Sequence, residues 1–241
     1  MGNIYEEIYN KNKILIDIAI EKTKKLDNDL LHFIGHTYDV IDYIKELLEN
    51  YEANKEVCII AAYWHDVGRT VVDEGHEEES GKMLIQEMQR LGYDDKMIEQ
   101  CYLAVVNHKR SSNPPTIEAK IVRDADKIAY IGRKRWERCI EQDYTALDEI
   151  EEQYLPILKD KILKLDYSKE LFERDMNLYI KDYLKVIEDK KKAEKTKNTT
   201  VKVKSPAVST KEPEWFNKDV DITETTEEEV EELDMILKGL V

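Results

Sequence analysis

Apolar residues recur at helical spacing through most of the first 190 residues, and no stretch alternates long enough to make a useful strand. Residues 4–26 carry one long apolar stripe. Residues 37–48 place Val40, Ile44, Leu47 and Leu48 on one face. Residues 57–64 are apolar all round, as in a short, fully buried helix. The pattern predicts further helices over 77–91, 97–108, 117–131, 146–163 and 170–189. Gly92 is placed to end the helix over 77–91, and Thr116 to cap the helix at 117. The expected fold class is all-α, a helical bundle.

The periodicity stops near Lys190. Residues 191–204 hold six lysines against one glutamate, and residues 212–241 hold eleven acids against two lysines. The sequence is therefore read as a helical domain over 1–190, followed by a charged linker and acidic tail over 191–241. Within the tail, Trp215-Phe216 and an apolar series at Val230, Leu233, Ile236 and Leu237 could dock a protein partner. The series suits a short amphipathic helix over about 226–239.

Composition narrows the function. The chain of 241 residues has 52 acids and 37 lysines and arginines, a net charge of −15. Such a surface repels phosphate backbones, so nucleic acid is not expected as a partner. No apolar run reaches the ~20 residues of a membrane span. The first residues show no signal-peptide pattern, and the three cysteines are scattered. Together these point to a cytoplasmic protein with buried thiols.

All five histidines, His32, His36, His65, His76 and His108, fall in the first 108 residues. His108 continues the stripe Met97, Cys101, Ala104 and Val105. His36 stands one turn before Val40 on the inward face of its helix. His65-Asp66 closes the all-apolar helix, and His76 opens the helix carrying Met83, Leu84 and Met88. Any one of these alone is most simply a hydrogen-bonded core residue. Four inward imidazoles beside an aspartate are better explained by a divalent cation accepting their lone pairs. His32 has no such support and is given a structural or supporting role. A further carboxylate could come from Asp124, on the face of Ile117, Ile121 and Ile128, or from Asp126, on the face of Val122 and Ala129. Periodicity does not choose between them.

The series His36, Tyr63-Trp-His65-Asp66-Val-Gly-Arg69, His76, Asn107-His108-Lys109 and Asp124-Ala-Asp126-Lys-Ile resembles the HD-domain superfamily of metal-dependent phosphohydrolases, over roughly residues 31–130. The resemblance implies an all-helical HD-domain bundle. It implies His36, His65, Asp66 and Asp126 as core ligands, with Asp126 standing where the family has its Ala-Asp motif. It further implies His76 and His108 on a second ion, with Asp66 bridging. The expected cofactor is one or two divalent ions (Mn, Mg, Co, Fe or Zn). The expected activity is cleavage of a phosphoester, on a nucleotide or another small phosphorylated metabolite, by metal-activated water. Asp66 would start the attack. Arg69 and Lys109, with Arg110 and Lys127 behind them, would hold phosphate oxygens. Glu74 or Asp73, in the loop after the HD pair, would serve as general acid. No Gly-Tyr-Pro motif is present, which disfavours a cyclic-dinucleotide phosphodiesterase. Two other readings stand beside this one: a di-iron oxygenase of the same fold, whose ligand set would be the same, and a protein that recruits a partner through its tail.

Overall fold

The computed structural model describes residues 4–202, and every regular element among them is helical. By compactness the chain divides into residues 1–195 and 196–241. The tail motifs at 215–216 and 226–239 lie outside the described residues.

The body is built around α4, Lys55–Trp64. Val57, Cys58, Ile59, Ile60, Ala61, Ala62 and Trp64 are all buried, as the apolar run demands. Asn54 starts the helix by accepting hydrogen bonds from the amides of Glu56 and Val57. Four helices surround it: α2 (Lys13–Thr23), α3 (Ile34–Leu47), α6 (Asp95–Val106) and α7 (Ile117–Ile128). Thr116 does cap α7, accepting from the Ala119 amide at 3.2 Å. α5, His76–Arg90, packs on α6 and on a 3-10 turn over Val67–Thr70. It ends as expected at Gly92, whose φ of 78° allows two bonds. The Gly92 amide bonds the Gln89 carbonyl, and the Tyr93 amide bonds the Met88 carbonyl, both at 3.1 Å.

Three departures from the sequence pattern have local causes. The stripe over 4–26 is split into α1 (Ile4–Lys11) and α2 at Asn12. That buried amide is held by the Ile8 carbonyl and Glu56, and its oxygen accepts from Tyr93. The expected helix over 146–163 is a chain of short turns: a 3-10 turn, then α9 (Leu155–Ile157) between two π-helical turns. Pro156 lacks the amide hydrogen that a continuous helix needs there. Another π-helical turn, Met176–Ile180, separates α10 (Asp166–Asp175) from α11 (Lys181–Lys202).

Two features lie beyond the pattern. α11 runs on past the boundary placed near 190, and Lys191 pairs with Asp148 at 2.9 Å. α8, Arg133–Gln142, has too few apolar residues to show a period, yet Trp136 and Cys139 are fully buried. All three cysteines are free and buried. No helix among the described residues is long and apolar enough to cross a membrane.

Candidate metal centre

Six side chains from five parts of the chain converge in the middle of the bundle. His36 projects from α3. His65 is the last residue capping α4, and Asp66 follows it. His76 is the first residue of α5, His108 lies just past α6, and Asp126 lies on α7. All six are 6% exposed or less.

Their donor atoms fall into two groups, His36, His65 and Asp126 in one and Asp66, His76 and His108 in the other. In the first, the Nε2 atoms of His36 and His65 are 3.3 Å apart, and Asp126 Oδ1 is 3.2 Å from His36 Nε2. In the second, the Nε2 atoms of His76 and His108 are 3.3 Å apart, and Asp66 Oδ1 is 3.2 Å from His76 Nε2. Asp66 also reaches the first group, with Oδ2 3.2 Å from His65 Nε2 and 3.6 Å from His36 Nε2. One carboxylate thus spans both groups.

Backbone carbonyls fix which nitrogen faces the centre. Nδ1 of His65 donates to the Ala62 carbonyl at 2.7 Å, that of His76 to Asp73 at 2.9 Å, and that of His108 to Val105 at 2.5 Å. A carbonyl only accepts, so these Nδ1 atoms carry the hydrogens. When the rings are neutral, their Nε2 atoms are bare lone pairs. His76 and His108 then point two lone pairs at each other, with a carboxylate oxygen alongside. No proton of a neutral ring lies between them, so the arrangement is repulsive unless a cation occupies it. Two ligands each ~2.1 Å from one ion lie ~3.0–3.4 Å apart at octahedral to tetrahedral angles, which fits both Nε2 pairs. His36 Nδ1 is buried and has no hydrogen-bond partner among the described residues.

At His36, His108, Asp66 and Asp126, protonation favours the same use. Burial depresses His36 to about 3, with the nearby Arg135 charge adding to it, and burial depresses His108 to about 4. Burial would raise Asp66, but His65, His76 and Arg69 hold it well below the usual carboxylate range. Asp126 is likewise driven down against burial, chiefly by Lys127 and His36. Burial lowers His65, but Asp66 and Asp126 outweigh it and leave this imidazole raised. Ionised carboxylates and neutral imidazoles are the ligand forms a divalent ion needs.

Local packing sets these positions. Ser80 Oγ donates to the His65 carbonyl and accepts from the Gly68 amide, both at 2.7 Å. That clamps α5 to the turn carrying Asp66. Gly68 permits the approach: a Cβ there would stand 2.2 Å from the His76 carbonyl oxygen. Gly75, at φ 77°, turns the chain into α5 so that His76 points inward.

A cavity of about 190 Å³ opens onto five of the six, His36, Asp66, His76, His108 and Asp126, with His65 buried behind them. Arg69 and Lys109 line it, as do Arg110 and Lys127. Arg69 Nε is bound to Asp66 Oδ1 at 2.9 Å, and Lys127 Nζ to Asp126 Oδ2 at 2.6 Å. His32 also lines it, held by Asp29 at 2.8 Å.

One sequence expectation is corrected. Glu74 and Asp73 are exposed and neither lines the cavity; Asp73 acts only through its main-chain carbonyl on His76. The acid that does line it is Glu77, the second residue of α5, 3.7 Å from His76 Nδ1. It went unnoticed because it sits in a run of three glutamates at the start of α5. The open choice between Asp124 and Asp126 also resolves. Asp124 turns away to bind Arg123 and the amides of Lys164 and Leu165. Tyr130, Arg135 and Tyr154 are cavity residues the sequence did not reveal. They sit on or beside the elements whose pattern was obscured, α8 and the turns near Pro156.

A larger groove, about 540 Å³, lies beside Asn12 and Tyr93 and has none of the clustered metal donors found among the described residues.

Residues 33–131 match the family model described as HD domain. None of the curated proteins matches this chain. Among solved structures, a predicted HD superfamily hydrolase from an uncultured Thermotogales bacterium is similar, with a TM-score of 0.59 and 19% sequence identity. The match covers 78% of this chain and 99% of that one. At that identity the likeness is one of fold.

Proposed function

We propose that the HD domain at residues 33–131 is the catalytic part of a metal-dependent phosphohydrolase acting on a small phosphorylated metabolite, such as a nucleotide. The observation carrying this reading is the pairing of bare imidazole nitrogens around the Asp66 carboxylate, beneath a cavity rimmed by cations. His36, His65, Asp66 and Asp126 would hold one divalent ion, and His76 and His108 with Asp66 a second. Ions at such donors supply a nucleophile at neutral pH and Lewis-acid polarisation of a phosphoryl oxygen.

The protein's own groups do the rest. Arg69 and Lys127 keep Asp66 and Asp126 ionised and oriented. Lys109 and Arg110, exposed at the rim, draw an anionic substrate toward an otherwise acidic protein. Burial raises Glu77, but its main-chain amide, His76, His108 and Lys109 bring it below its ordinary value. It is therefore suited to accept a proton rather than to donate one.

The cationic rim favours the hydrolase over an oxygenase, because an anionic substrate gives those charges a purpose. Elemental analysis of the purified protein, followed by a panel of phosphoesters with each candidate metal, tests the proposal. Release of phosphate dependent on Mn, Mg or Co is expected. Stoichiometric iron with oxygen consumption and no phosphate release would overturn it.

A further inference from the structure

Three cationic side chains are buried in the described residues: Arg123, Lys127 and Arg135. Two of them have their counter-ion inside the protein. Arg123 binds Asp124 at 2.9 Å and two carbonyls, and Lys127 binds Asp126 at 2.6 Å. Arg135 differs. It is 2% exposed, yet no described acid lies within ion-pair distance of its guanidinium. Its Nε donates to the Leu31 carbonyl at 2.9 Å, the one hydrogen bond its guanidinium makes to the described residues. The guanidinium lies 5.8 Å from the centre of the Tyr130 ring, and the residue lines the cavity above the six converging side chains.

A buried guanidinium without an anion is costly, since desolvation is not repaid. The fold nevertheless fixes Arg135 firmly. Asp39, one turn past His36 on α3, accepts from the amides of Lys134 at 3.1 Å and Arg135 at 3.3 Å. That anchors the first turn of α8 beside the metal-ligand helix. With Nε used, the two terminal nitrogens of the fork remain for a ligand, and a fork of this kind matches the oxygens of phosphate or carboxylate. Arg69 and Lys127 are already committed to the carboxylates of the centre, so they do not duplicate it.

We infer that Arg135 is the specificity-determining residue for a second anionic group of the substrate, so that the site selects compounds bearing two phosphoryl groups over simple monoesters. The inference rests on the hydrolase reading for where the first phosphoryl group sits. A cation next to a metal centre also needs an anion between the two, and a two-headed substrate provides one at each position.

The test is calorimetric binding to the full-length protein in excess Mg, with methylenediphosphonate as a non-hydrolysable two-headed probe and methylphosphonate as the one-headed control. For the unmodified protein, methylenediphosphonate should bind at least 30-fold more tightly than methylphosphonate. Arg135→Gln should cut that preference to less than threefold, chiefly by weakening methylenediphosphonate. Arg135→Lys, which keeps the charge but not the fork, should fall between them and carries the test if the glutamine variant loses its helical circular dichroism. Equal weakening of both probes, or an unmodified protein without preference, would overturn the inference. Because binding is read rather than turnover, absence of phosphate release would refute the hydrolase reading while leaving this selectivity measurable.

Discussion

Asp66 Oδ1 stands 3.2 Å from His76 Nε2, while the other oxygen of the same carboxylate is 3.2 Å from His65 Nε2. Asp66 therefore belongs to both histidine groups, and the two sites are not equivalent in what they lose by mutation. His76→Ala should remove one metal equivalent and leave the other. Asp66→Ala should weaken both. The loss at the second site should exceed the roughly 10–100-fold typical of removing a supporting partner. Metal titration followed by elemental analysis reads this directly. A His76→Ala protein retaining two equivalents would show that His76 is not a ligand.

Gly68 holds the two halves of the site in register. Gly68→Ala would force the turn after Asp66 away from the start of α5, since the added carbon meets backbone atoms of His76 and Ser80. Overpacking of this kind costs about 1–3 kcal/mol. The expected result is a lower melting temperature together with weakened binding at the His76–His108 site. An unchanged metal affinity in this variant would mean the clamp does not position His76.

What the sequence made legible follows from what each residue does. The four candidate imidazoles, with Asp66 beside His65, are visible because imidazoles on apolar stripes contradict burial unless something satisfies them. Arg135, Tyr130 and Tyr154 were not visible. α8 buries Trp136 and Cys139 within a run dominated by charge, so its period is hidden. Glu77 was masked by two neighbouring glutamates, and only its 8% exposure distinguishes it. The choice of Asp126 over Asp124 rested on family resemblance. The geometry supplies the physical reason, because Asp124 is occupied by the amides of Lys164 and Leu165.

The metal-free protein should weaken in mild acid. His36 and His108 are depressed by burial to about 3 and about 4, against 6.5 in an unfolded chain. Below pH 6.5 the unfolded chain therefore binds more protons at these positions, and stability falls as pH falls, by about 1.4 kcal/mol per pH unit for each proton. His65, raised in the fold, contributes stability that is fully present below pH 6.5 and is lost only as pH rises above it, so it does not alter the decline there. Asp66 and Asp126, held low, extend the loss once pH drops below about 4. Urea midpoints in the presence of chelator should decline from pH 6.5 to 4.5, and saturating metal should flatten the decline. A flat profile without metal would contradict the burial of neutral imidazoles.

The most direct test of the metal centre as the seat of catalysis is phosphate release by the His65→Ala/Asp66→Ala protein. The variant removes a ligand of the first group and the carboxylate shared by both, on a segment that already ends its helix. Metal-dependent release should vanish while far-ultraviolet circular dichroism stays close to that of the unmodified chain. Turnover that survives this double change in a folded protein would contradict the account.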